Sequence, residues 1–181
     1  MSNRKKIFAI TQAAVLLAVL IVLQAATKGF GQFVTGSCVN AVLALAALSA
    51  PLGAAVMIAL VSPVLAFLLG IAPQILTVPA IMAANAVYVL ALHFLTGRRI
   101  VRQICAWLAA AAVKFAVLYA AVIWLVCGVL QAPLMNAGLL KMPMRNVLTA
   151  TFSWPQLVTA LIGGAVAMLC VPTLKKALKI I

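Results

Sequence analysis

The chain reads as an all-α integral membrane protein: one transmembrane domain over residues 1–181, with six helices and both termini on the cytoplasmic side. Three observations predict this. Thirteen Lys and Arg stand against no Asp or Glu, while 68% of the residues are hydrophobic. Mean hydropathy is +1.31, and apolar runs of about 20 residues recur, more nonpolar surface than a soluble domain of this size can bury. The basic residues cluster at the ends of those runs, where anionic headgroups attract them. The pI near 10.6 therefore points to a bilayer surface and not to nucleic acid.

Spans are expected at about 7–26, 37–50, 52–71, 73–96, 103–127 and 152–174. The first follows Arg4, Lys5 and Lys6 like the core of a signal peptide, yet Ile7 to Ala26 makes about 30 Å of helix, so it is read as a retained span. The second is short, about 21 Å from Ser37 to Ala50, and Ala50-Pro51-Leu52-Gly53 is either a turn or a kink inside one longer helix. Charge decides between the two. With a turn, nine basic residues (Arg4, Lys5, Lys6, Arg98, Arg99, Arg102, Lys175, Lys176, Lys179) share one side, leaving Lys28, Lys141 and Arg145 opposite. With a kink the split is seven against five and the basic amino terminus falls on the poorer side. The positive-inside rule favours the turn.

The outer connections are then Thr27 to Gly36, a tight turn near Ala72-Pro73, and the long stretch from Gly128 to Thr151. Pro63 and Pro79 are expected inside spans three and four, each removing a backbone hydrogen bond. The first outer loop holds three glycines before Ser37 with Phe30 and Phe33 among them. It lacks the GK[ST] ending of a phosphate loop and suits a flexible apolar flap over a cavity, with Gln32 and Asn40 turned toward it.

Lys114 is the sharpest chemical feature. It is the twelfth residue of the fifth span, where a charge costs roughly 2.5 to 3.5 kcal/mol, and the chain contains no Asp or Glu to pair with it. Snorkelling, loss of its proton, hydrogen bonds to carbonyls, or an anion from outside would each accommodate it. On a regular helix Gln74, Thr77, Asn85 and Tyr88 fall within about 80° of arc, a polar face that either bonds neighbouring helices or lines a cavity. Span six begins Phe152-Ser153-Trp154-Pro155-Gln156. Gln156, Thr159 and Gly163 share a face, and Trp154 is either a headgroup anchor or a stacking platform. Gly163-Gly164 allows close helix packing. His93 is expected at an interface, off the polar face.

Cys38, Cys105, Cys127 and Cys170 stand singly, so no metal site and no disulfide framework is expected. No catalytic cluster is expected either, since the residues able to do acid-base or covalent work are scattered. Nor is any Walker sequence or proton relay present to energise uphill transport. Ala9, Ala13, Ala14 and Ala18 form two overlapping small-xxx-small pairs on the first span, suited to packing within the chain or against another membrane subunit.

Small size, six spans, an AxxxA-bearing first helix, and the run Gly31-Gln32-Phe33-Val34-Thr35-Gly36-Ser37, with Asn40 and later Ser62-Pro63, together resemble a branch of one family. It is the substrate-binding S component of energy-coupling-factor (ECF) vitamin transporters. The resemblance implies an S-component bundle in the bacterial cytoplasmic membrane that captures a micronutrient from outside and releases it after toppling in the bilayer. It implies a T subunit contacting Ala14 and Ala18, or Ala9 and Ala13, and two partner ATPases that use the ATP, with no cofactor in this chain. Family members for thiamine would be expected to carry an acidic residue, and those for nickel or cobalt a Met-His start; here no acid is present and the second residue is Ser2. The alternative is a structural or assembly subunit of a membrane complex. The substrate-binding set expected is Lys114, Asn85, Gln74, Thr77, Tyr88, Gln32, Asn40, Trp154 and Gln156, with Lys28 and Arg145 at the mouth. These favour a neutral or carboxylate-bearing molecule.

Overall fold

The computed structural model describes residues 3–71 and 74–177 and is helical throughout, 89% helix with no strand among the described residues. The helices are α1 (Asn3–Thr27), α2 (Gln32–Ser49), α3 (Leu52–Leu68), α4 (Val78–Leu95), α5 (Ile100–Leu118), α6 (Gln131–Asn136), α7 (Met142–Phe152) and α8 (Trp154–Ala177). Short 3-10 turns at Lys28–Phe30 and Ile75–Thr77 precede α2 and α4, and α5 continues as a π-helix over Tyr119–Val129. The turn expected at Ala72-Pro73 and the basic Lys179 lie outside the described residues.

Five helical runs are long and apolar enough to cross a bilayer: Lys6–Phe30, Gln32–Ser49, Ile75–Leu95, Ile100–Val129 and Met142–Ala177. Leu52–Leu68 is apolar but, at 17 residues, shorter than these. The chain is therefore a multi-pass membrane protein by length and composition. α2 and α3 are separate helices. Pro51 crowds the residue before it out of the α region, and Ala50 accordingly adopts φ −104°, ψ 161°, closing α2 while α3 starts at Leu52.

Several boundaries differ from those the sequence suggests. The Thr27 to Gly36 loop is not a flap: only Lys28 to Gly31 separates α1 from α2, and Gln32, Thr35 and Gly36 are already helical. Gly31, at φ +82°, makes that sharp entry in a backbone region L side chains avoid. Pro79 lies in the first turn of α4, where no intrahelical bond is lost, whereas Pro63 is inside α3 as expected. The sixth apolar segment is split at Ser153, so Phe152 closes α7 and Trp154 opens α8. The long stretch from Gly128 to Thr151, expected as a connection, is largely helical, holding α6 and most of α7.

The core is built around α2, which packs most extensively on α8, while α4 packs on both α5 and α3. Leu43, Ile58, Val89, Ala110 and Ala160 belong to the main cluster, and a second joins Leu118 and Val122 to Leu148 and Phe152 of α7. The α2–α8 approach depends on Gly163, where a Cβ would come within 2.6 Å of Ala41 N and Ser37 O. Its neighbour Gly164 faces the Trp107 ring and Tyr88. The two glycines thus do the packing work their sequence context suggests.

Candidate functional site

A cavity of about 320 Å³ lies at one end of the bundle, enclosed by the end of α1, the start of α2, the residue Ile71 beyond α3, the first half of α4, the end of α5, and the α7–α8 junction. Its base is organised by Lys114. α5 buries Ala106, Ala110, Lys114 and Leu118, successive positions four apart, so the lysine continues a stripe of small residues facing the bundle and has no route to lipid. The side chain is 3% exposed.

Nζ donates to Asn40 Oδ1 on α2 at 2.5 Å and to Asn85 Oδ1 on α4 at 2.6 Å. It also lies 5.1 Å from the centre of the Tyr88 ring, one turn beyond Asn85. The network runs on: Asn40 Nδ2 donates to Thr159 Oγ1, which donates to the Gln156 carbonyl, and Tyr88 donates its hydroxyl to the Ala160 carbonyl. The network around Lys114 therefore joins α2, α4, α5 and α8, with α8 reached through Asn40 and Tyr88. Of the ways to accommodate a lysine in a bilayer, the chain uses carbonyl dipoles of its own, the two asparagine amides.

Of the residues singled out in the sequence, Lys114, Asn40, Asn85, Gln32 and Gln156 line this cavity. Tyr88 is fully buried and stands behind it, against Lys114. Gln74 and Thr77 precede α4, Gln74 in extended backbone and Thr77 in the 3-10 turn, so the regular helical spacing that put them on the face of Asn85 does not apply. Thr77 bonds the Gln74 carbonyl. Lys28 and Arg145 are away from the lining. Each donates to a backbone carbonyl, Lys28 to that of Gly70 just past the end of α3 and Arg145 to that of Cys127 in the π-helix. Trp154 is 61% exposed and its ring packs against Phe33, centroids 5.4 Å apart, outside the cavity.

Gln24, Thr35 and Thr151, not singled out in the sequence, add three polar groups to the lining. Gln24 Oε1 is buried without a hydrogen-bond partner. Its one sequence sign is that it interrupts an otherwise apolar run, between Leu23 and Ala25. Val39, Ile71, Ile81, Leu118 and Phe152 form the apolar walls. The result is a predominantly apolar chamber with several amide groups and one lysine, the usual chemistry of a small-molecule pocket.

On α1, Ala14 and Ala18 are exposed, whereas Ala9 and Ala13 are partly covered and Ala13 packs on the main core. His93 is exposed, with Nδ1 3.1 Å from the Ala47 carbonyl. Among the described residues the four cysteines are free and no group of three His or Cys is placed to hold a metal. Taken together, fold and cavity describe a multi-pass helical membrane protein with a lysine-based chamber near one bundle end. Comparison with protein-family models, curated proteins and solved structures finds no match.

Proposed function

We propose that the chain is a substrate-capture subunit, an S component of an ECF-type uptake transporter, that takes up a small neutral or anionic micronutrient in the Lys114 cavity. The observation that carries the reading is the chamber itself, polar at its base and placed where the starts of α2 and α8 meet. An ammonium has three donors, and Asn40 and Asn85 take two, leaving one for an acceptor on the occupant. Gln24 Oε1 asks for a donor. A molecule carrying both, such as a lactam, amide or carboxylate beside a ring N–H, satisfies the two groups together.

In this reading the chain crosses the bacterial cytoplasmic membrane six times with both termini inside, α3 being the short span, and the cavity faces outward. α1 supplies the contact with a T subunit through Ala14 and Ala18, the register left exposed, and two partner ATPases provide the energy. A second reading, a structural subunit that binds nothing, draws on the fact that Asn40 and Asn85 already hold Lys114. Purification of the chain with its neighbours separates the two. A transporter subunit brings down a T subunit and two ATPases and loses them with Ala14→Leu/Ala18→Leu. A structural subunit brings down neither ATPase.

A further inference from the structure

The opposite end of the bundle carries a second and larger cavity, of about 570 Å³, between the ends of α2, α4 and α8 and the start of α5. We propose that it is a binding site for the phosphate headgroup of an anionic phospholipid. The inference is independent of the function proposed for the Lys114 cavity, from which it differs in every helix end that forms it.

The lining combines Arg98 and Lys175 with His93, Gln103, Ser49 and Thr96. Helix C-termini present carbonyls that would themselves attract these cations, but three carbonyls nearby already have other side-chain partners. Arg102 Nε donates to the Leu95 carbonyl, Gln103 Nε2 to that of Gly97, and His93 Nδ1 meets that of Ala47. Among the described residues Arg98 and Lys175 make no side-chain hydrogen bond, and no Asp or Glu exists in the chain to neutralise them. Thr96 Oγ1 is buried with no partner. Two unneutralised cations and an unsatisfied hydroxyl around one cavity are complementary to a phosphate, which accepts hydrogen bonds on several oxygens.

The setting selects a lipid over a soluble anion. Phe94, Leu95, Ile100 and Val101 flank the basic residues and are largely exposed, so the cavity opens beside an apolar, lipid-facing surface. A headgroup held by Arg98 and Lys175 leaves its acyl chains against that surface. Basic pockets between transmembrane helices hold anionic headgroups in this manner.

The test is native mass spectrometry of the full chain, delipidated in neutral detergent and titrated with phosphatidylglycerol, phosphatidylcholine or inorganic phosphate. The expected result is one saturable phosphatidylglycerol adduct, absent with phosphatidylcholine and weakened about thirtyfold in Arg98→Gln/Lys175→Gln. The single substitutions, at exposed and half-exposed positions, give intermediate losses and keep the test open if the double variant does not fold. Lys28→Gln, at the other end, leaves the adduct unchanged. The proposal is overturned if Lys28→Gln weakens the adduct as much as Arg98→Gln, which would mean diffuse attraction to the basic surface. It is overturned equally if wild-type and double variant bind alike, or if inorganic phosphate displaces the lipid at comparable concentration, which would assign the cavity to a soluble anion.

Discussion

The two ends of this bundle handle positive charge in opposite ways. At one end a single lysine is buried at the base of a chamber and tied by asparagine amides to two neighbouring helices. At the other, Arg98 and Lys175 border a wider cavity beside an apolar surface and make no side-chain hydrogen bond among the described residues. The difference follows from depth. A charge midway along a span has no water or headgroup to turn to and must find dipoles inside the protein, whereas one at the helix ends is stabilised by the interface itself. A chain without Asp or Glu can therefore fold with thirteen basic residues provided those inside the bilayer meet amides.

The largest effect expected from breaking this contrast is at the buried end. Asn85→Leu leaves Lys114 with one amide and should lower unfolding stability in detergent by about 2 kcal/mol, and adding Asn40→Leu should lower it further. Adding Lys114→Met to both removes the buried polar group as well and should recover most of the loss, as when a buried polar cluster is exchanged for packed apolar residues. Failure to recover would mean that Asn40 and Asn85 act through something other than Lys114.

Next comes the close approach that brings α2 and α8 together. Gly163→Ala places a methyl against the α2 backbone and should cost about 1 to 3 kcal/mol, read as a lowered unfolding midpoint. A neutral outcome would show that the helices can separate without loss. On α1, Ala13→Leu, on the side packed against the core, should destabilise the isolated chain by about 1 kcal/mol or more. Ala14→Leu/Ala18→Leu, on the exposed side, should stay within about 0.5 kcal/mol while abolishing copurification with a membrane partner. The smallest stability change belongs to the exposed cations: Arg98→Gln should shift unfolding in lipid-free detergent by less than about 0.5 kcal/mol.

Much of the site was legible from individual residues. Lys114 is conspicuous because polar residues are scarce in a span, and Asn40, Asn85, Gln32 and Gln156 stand out for the same reason. What the sequence alone does not show is that Asn40, Asn85 and Lys114 meet, since they lie 74 and 29 positions apart and only helix packing joins them. The break between α2 and α3 is legible in Pro51, which pushes Ala50 out of the α region. The face shared by Gln74, Thr77 and Asn85 rests on a 100° helical step that holds only from Val78 onward. Gln24 escaped because one amide in an apolar run resembles a tolerated exception. The π-helix at Tyr119–Val129 has a composition of ordinary apolar span residues, so no local propensity marks it, although π turns recur at functional sites.

The most direct test of the account is whether the Lys114 cavity is occupied. Native mass spectrometry of the intact chain, purified gently from its own membrane, should show one small metabolite bound in most molecules. Gln24→Leu/Gln32→Leu, which changes the lining without touching the Lys114–asparagine cage, should lose it while leaving the unfolding midpoint near that of the wild type. A wild-type chain that is empty after such purification and stays empty when incubated with a cell metabolite extract, or a metabolite held equally by the double variant, would contradict the cavity's assignment as a capture site.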